Sequence, residues 1–298
     1  MAPRPHILVV NGRKVRQPVF VIGAPHSGAD LLARALKRSD GFHLTIGQRS
    51  VTGVVHAFAR SPSIQRGRGE AAATVLRDAF AQAWQVTAHA CLACSPSCRD
   101  AGGVNGVGAC VAERDIRRYG DATPDLMYCA EGLVDAFPDA RIVQIIRDGR
   151  DVVAAMLADA SALAWFKPGV ANVDSEFPNP FFGIETEADL AAWPALSLAG
   201  KCAMRWRGSV RTMARLRSSM PAERLTTLRY EQVIRQPAAA ARAISGFIEA
   251  EVGPIGSRGR GRGPAAIQSG GWRRTLTAQQ VTDVEQVAGI DLRRVGYG

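Results

Sequence analysis

Two short apolar runs constrain this chain more than anything else in it, because each leads through a loop straight into residues at helical spacing. Residues 19–23 (VFVIG) end in glycine, pass through 24–30 (APHSGAD), and reach Leu31, Leu32, Ala35 and Leu36, which recur on one helical face. Asp30 or Ser27 is placed to cap that helix. Residues 141–146 (RIVQII) repeat the pattern, with a helix beginning at 148–157. A four- to six-residue run without polar alternation reads as a strand buried on both faces, and such strands belong to parallel sheets.

The other segments fit that frame. Residues 71–90 read as a helix with Val75, Phe80, Ala83 and Trp84 as core positions, and 126–137 as an amphipathic helix. Residues 201–220, 238–250 and 277–287 read as helices, and 225–230 (LTTLRY) as a third strand. Strands alternating with helices predict an α/β protein with a P-loop-like three-layer fold, in which a mostly parallel sheet carries helices on both faces. The expected organisation is a single domain over 1–298, with a Cys-rich insertion at 85–118. Residues 159–200 (WFKPG, EFPNPFFG) lack periodicity and read as an irregular lid or acceptor-site segment.

Charge is unevenly placed. The formal net charge is +10. Residues 1–200 carry 20 basic and 20 acidic residues, whereas 201–298 carry 17 and 7, so the whole excess lies in the last third. Arginine supplies 33 of the 37 basic residues, and its paired N–H donors suit phosphate or sulfate. No apolar run reaches the roughly 18 residues of a membrane span. The early run at 7–10 is shorter than a signal-peptide core, so a cytoplasmic location is expected.

The loop after the first strand is where chemistry is expected. A helix N-terminus presents unpaired N–H groups and a partial positive charge, which together hold an anion. Gly28 lets backbone approach closely and Ser27 adds a hydroxyl. The loop lacks the Gly-Lys-Ser/Thr ending of a Walker A sequence, which disfavours a nucleotide triphosphatase or kinase. Arg147 and Arg150 follow the second strand. In a parallel sheet both loops emerge at the carboxyl edge, where ligands bind. Two anion elements there suit a ligand with two separated phosphate-like groups. Asp148 and Asp151 lie close enough in sequence to neutralise both arginines instead.

At these residues the chain resembles the PAPS-dependent sulfotransferase family, over roughly residues 17–298. VFVIGAPHSGADLLARAL is similar to the family's 5′-phosphosulfate loop, and GDATPDLMYCAEGLVDAFPDARIVQIIRDGRDVVAAM to the run into the 3′-phosphate site of bacterial members. LRYEQVIRQPAAAARAISGFI and SGGWRRTLT resemble the strand–helix and G-x-W-R segments further on. The resemblance implies that Pro25, His26, Ser27, Gly28, Ala29 and Asp30 wrap the 5′-phosphosulfate of PAPS. Arg147 would bind the 3′-phosphate, with position 155 near it. Trp272 would sit by the nucleotide, with Arg273 or the arginines at 258, 260 and 262 closing over it. The implied reaction moves a sulfuryl group from PAPS to a hydroxyl or amine of a small-molecule acceptor.

Five positions depart from the family pattern. His26 stands where Lys or Arg is usual, Ala29 and Asp30 where a hydroxyl pair is usual, Ala122 where many members have Lys, and Ala155 where a Ser is common. A carboxylate at position 30 about 4 Å from a phosphate would cost on the order of 4 kcal/mol at an effective dielectric of 20, so Asp30 must point away or pair with an arginine, or the site is not a normal PAPS site. These departures carry an alternative: a sulfotransferase-like protein that has lost transfer and holds a nucleotide or partner. For the general base the candidates are His43, His56 and Asp125, and His26, if protonated, stands in for the missing cation.

Cys91, Cys94, Cys98 and Cys110 give C-x2-C-x3-C-x11-C, which suits a structural zinc ion as well as free thiols, with His89 as a substitute ligand. Cys129 and Cys202 read as core. The tract SRGRGRGP at 257–264 resembles an RNA-binding repeat, but it contains no aromatic for base stacking, so nucleic acid is the third and least favoured partner. Arg207, Arg211 and Arg215 form a stripe expected to face solvent.

Overall fold

The computed structural model describes residues 7–65, 69–87, 91, 94–104, 108–256 and 269–298. His89 and the 257–264 tract lie outside them.

Val19–Ile22 (β3) is the middle strand of a five-stranded parallel sheet, and all four of its side chains are buried. It is flanked by Arg118–Asp121 (β5) and Arg141–Ile146 (β6). Phe42–Thr45 (β4) lies outside β5, and Leu225–Arg229 (β7) outside β6, giving the order β4-β5-β3-β6-β7. Val9–Val10 (β1) and Arg13–Lys14 (β2) form a separate antiparallel pair. Successive side chains of β3 and β6 serve different layers, as the two-residue period of a strand requires. Phe20, Ile22 and Ile142 pack with Phe80, Trp84 and Leu133. Val19, Val21, Val143 and Ile145 pack with Leu32, Leu36, Ile244 and Ile248. Gly69–Ala83 (α3) and Ala130–Ala136 (α5) thus cover one face, and Ala29–Lys37 (α1) and Pro237–Ile248 (α11) the other. The expected three-layer arrangement is the one found.

A third apolar cluster joins Gly149–Leu157 (α6), Leu198–Ser219 (α9) and Ala278–Arg294 (α13). Gly149 is required there, since a Cβ would lie 2.7 Å from the Trp206 ring. Phe181, Phe182 and Ile184 belong to this core, so the 159–200 segment is packed down at its centre. It also contains two short helices, Ala160–Ala164 (α7) and Glu187–Ala192 (α8). The remaining helices are Arg49–Arg60 (α2), Pro96–Gly102 (α4), Tyr230–Arg235 (α10) and Trp272–Thr275 (α12). Among the described residues no helix is long and apolar enough to cross a membrane.

Several expectations are corrected. α1 begins at Ala29 and is capped by neither proposed residue: Gly28 is its N-cap, without a side-chain bond. Val75 is exposed rather than core, because α3 turns it away from the sheet. Residues 126–137 split into a 3-10 turn and α5. The arginine stripe is solvated only at Arg215, which is exposed, and all three arginines are paired. Arg207 is buried and pairs with Asp189 at 2.5 Å, Arg211 with Asp291 at 2.9 Å, and Arg215 with Glu185 at 2.7 Å. Asp189 and Glu185 from the 159–200 segment and Asp291 from α13 supply the carboxylates.

Candidate functional site at the carboxyl edge

The loops after β3, β5 and β6 and the start of α10 converge at one edge of the sheet. Gly23 leaves β3 where any Cβ would lie 2.5 Å from Ser27 Oγ and 2.6 Å from Ile145 O. The chain then turns tightly, with Ser27 N donating to Ala24 O at 3.1 Å and Ser27 Oγ to the same carbonyl at 2.5 Å. His26 (φ 60°) and Gly28 (φ 99°) adopt left-handed backbone. At Gly28 a side chain would also overlap the Tyr230 ring. The turn delivers the N-terminus of α1 to the sheet edge. No side chain caps it, and in its first turn Leu31 N donates to Gly28 O at 3.0 Å. Asp30 sits exposed in that first turn.

Arg147 bridges the two anion elements. Its Nη1 donates to His26 O at 3.0 Å, and its guanidinium lies over the Tyr230 ring at 4.4 Å. Asp151, one turn on, lies 3.9 Å from Arg147 and accepts from Gly270 N (2.7 Å) and Trp272 N (2.9 Å). One buried carboxylate therefore fixes both the arginine and the G-x-W-R segment. Arg150 is otherwise engaged. It chelates Asp148 through two bonds of 2.9 and 3.0 Å and donates to Tyr297 O, while its guanidinium faces the Trp272 ring at 4.4 Å. Arg273 also lies 4.4 Å from that ring. Trp272 Nε1 is buried without a partner among the described residues. Ala155, half-buried on α6, offers no polar atom, and Ala122 is buried after β5.

His26 meets Asp159 at 3.1 Å, from the start of α7. Burial lowers its pKa from the usual imidazole value, Asp159 opposes this, and Arg147 and Arg205 add to the lowering. Asp125 follows β5 in left-handed backbone (φ 65°) and pairs with the buried Arg205 at 2.7 Å through Oδ1. Its Oδ2 has no hydrogen bond among the described residues. Arg205 lies over Phe181 at 4.1 Å. His56, on α2, meets Trp165 edge-on at 4.9 Å, and Trp165 meets Phe181 at 5.4 Å, so an aromatic wall stands next to the Asp125–Arg205 pair.

His43 is not brought to this edge. It pairs in register with Tyr119, one step before the β5 residue that faces Val19, so it lies about 16 Å of strand below the loop at Gly23. It is buried with neither ring nitrogen partnered among the described residues, and burial, with help from Lys37, lowers its pKa to about 4. Cys91, Cys94 and Cys110 converge elsewhere, beside β4, with their Sγ atoms within 4.8 Å of one another. Sequence reasoning had Asp151 only as a neutraliser of the arginines, a contact found at 3.9 Å from Arg147, and not as the acceptor for Gly270 N and Trp272 N; it missed Tyr230, Asp159 and Arg205. Tyr230 carried a signal, lying in the quoted LRYEQV stretch, but Asp159 and Arg205 act through partners far away in the chain.

Fold and site together define a parallel α/β protein in which a helix N-terminus without a side-chain cap and the guanidinium of Arg147 meet at the carboxyl edge of the sheet. A family model described as the sulfotransferase family matches residues 18–178, more than half of the chain. The chain belongs to the sulfotransferase family. No curated protein matches it. Similar solved structures include a sulfotransferase from Alicyclobacillus acidocaldarius (17% identity, 93% of this chain and 96% of that one, TM-score 0.43). Another is the sulfotransferase domain of the Synechococcus PCC 7002 olefin synthase (14%, 92% and 94%, TM-score 0.48). A third is a mouse sulfotransferase complexed with PAP (13%, 94% and 86%, TM-score 0.42).

Proposed function

We propose that the protein transfers the sulfuryl group of PAPS to a hydroxyl or amine of a small-molecule acceptor. The observation that carries this is the Arg147–His26 bond, which joins the uncapped start of α1 and the β6 loop into one anion-binding unit. Residues 25–30 hold the 5′-phosphosulfate on backbone N–H groups. Arg147 takes the 3′-phosphate, and Trp272 with Arg273 covers the nucleotide. In the reaction the sulfur–oxygen bond to the 5′-phosphate breaks as the acceptor oxygen or nitrogen bonds to sulfur. His26, when protonated, stabilises the departing phosphate oxygen. Asp125 Oδ2 takes the acceptor proton, while Arg205 positions the carboxylate and the Trp165–Phe181 wall meets the acceptor's apolar body. Positioning and charge stabilisation dominate such transfers.

Titration calorimetry with PAP, the desulfonated donor product, tests the donor site, with AMP and ADP as controls. Micromolar PAP binding that falls at least tenfold in Arg147→Ala is expected. Equal affinity for PAP and AMP would remove the assignment of PAPS as donor. A second reading, binding without transfer, is favoured by the lowered pKa of His26 and by the inward-facing Ser27 hydroxyl. Tight PAP binding with no PAP released from PAPS across an acceptor panel would select it.

A further inference from the structure

We propose that Cys91, Cys94, Cys98 and Cys110 hold a structural zinc ion that clasps the Cys-rich segment onto the edge of the sheet. A tetrahedral zinc with bonds of about 2.3 Å sets neighbouring sulfurs about 3.8 Å apart. Cys94 and Cys110 Sγ lie 3.8 Å apart, and Cys91 joins them within 4.8 Å. That spacing is far beyond the roughly 2.05 Å of a disulfide, and all six cysteines are free. Cys98 is proposed as the fourth ligand on its position: it is buried on α4, four residues after Cys94, although the sulfurs that already converge are those of Cys91, Cys94 and Cys110.

A second observation points the same way. Lys37 is buried at the end of α1, and no carboxylate of the described residues pairs with it; its ammonium donates to Leu44 O at 2.6 Å. A Cβ at Gly102 would lie 3.1 Å from Lys37 Cε and 3.5 Å from Cys110 Sγ, so the lysine and the thiol share one small niche. A buried cation requires a nearby anion. A zinc bound by four thiolates carries two negative charges and supplies it.

The location explains what the ion does. β4 is an edge strand, and its outward carbonyls need partners. Ser95 Oγ donates to Ile46 O at 2.5 Å and the Lys37 ammonium to Leu44 O, so the cysteine loop and its neighbouring lysine cover that edge. Four protein ligands leave no open position, so the role is structural. This site is independent of the proposed transferase chemistry.

Elemental analysis of the full chain, purified without chelator, is expected to give about one zinc per chain. Cys94→Ser, Cys98→Ser and Cys110→Ser are each expected to lose at least tenfold in zinc, while Cys202→Ala keeps it. Because the serine variants risk misfolding, the wild type is also stripped and refilled with Co²⁺. Intense tetrahedral visible bands with a thiolate-to-cobalt charge-transfer band are expected. Folded protein without metal overturns the proposal, as do iron with inorganic sulfide, a disulfide among these cysteines, or full zinc retention in Cys98→Ser.

Discussion

His26 is the residue on which the donor chemistry turns. Its backbone is left-handed and its ring faces Asp159, yet burial and two arginines keep its pKa below the usual 6.5. The protonated fraction therefore grows as pH falls and is small at pH 8. His26→Ala is expected to change PAP affinity by less than about twofold at pH 8 and to weaken it about fivefold near pH 6, where a charge-assisted bond is regained. His26→Lys is expected to tighten binding at pH 8 by about five- to tenfold. Calorimetry at both pH values checks this, and a pH-independent effect of His26→Ala would assign a neutral role. His43 behaves differently. Its folded pKa of about 4 lies below the unfolded 6.5, so its contribution is complete above 6.5 and is lost as pH falls through 4. Between pH 7 and 5 this costs on the order of 2 kcal/mol. His43→Phe, which removes two buried nitrogens with no partner among the described residues, should lose that slope in urea titrations and keep transfer activity. A variant with unchanged slope would show that His43 is not the titrating group.

At the scale of elements, the strands that carry an uninterrupted apolar pair or run were legible, and the short ones that mix apolar with polar residues were not. β3 (VFVI) and β6 (RIVQII) read directly from their apolar residues despite Arg141 and Gln144, and β7 through its LTTLRY run. β4 (FHLT) and β5 (RYGD) escaped because His43, Thr45 and Asp121 are buried by pairing with neighbouring strands rather than by their own character. Thr45 Oγ1 bonds Asp121 at 2.5 Å across those two strands, a partnership 76 residues apart in sequence. The donor loop was legible for the opposite reason: its turn, glycine and following helix are local. What holds that loop is not. Tyr230 against Gly28, Asp151 under Trp272 and Arg205 on Asp125 join distant segments and have no periodicity to reveal them. Gly28→Ala combines a left-handed backbone with an overlap on Tyr230. It is expected to abolish PAP binding while the thermal midpoint falls only by several degrees, as differential scanning calorimetry would show. Arg205→Met strands a buried carboxylate and is expected to cost about 3–5 kcal/mol in urea unfolding. Recovery in the Arg205→Met, Asp125→Leu double variant, without recovery of transfer, would separate the pair's structural role from Asp125 acting as base.

At the scale of the whole molecule, the charge excess of the last third is largely built into the fold. Arg205, Arg207, Arg211 and Arg215 on α9 all pair with carboxylates from other segments. Arg229 bonds Val295 O, and Arg224 bonds the carbonyls of Phe137 and Ala140. Arg147 and Arg273 are placed at the carboxyl edge, beside the start of α1 and beside Trp272. Among the described residues the arginines of α9 are therefore tied to carboxylates rather than forming an open basic stripe, and Arg147 and Arg273 bring positive charge to the carboxyl edge. A stripe that neutralises many phosphates gives a steep salt dependence, with a slope of about −0.9 per phosphate on duplex DNA. A pair of arginines at one edge meets about two. Duplex oligonucleotide binding, followed by fluorescence anisotropy across a salt series, is expected to show a log–log slope no steeper than about −2 and to be displaced by PAP. A slope of about −5 or steeper, insensitive to PAP, would mean that the basic third forms a nucleic-acid face separate from the donor site.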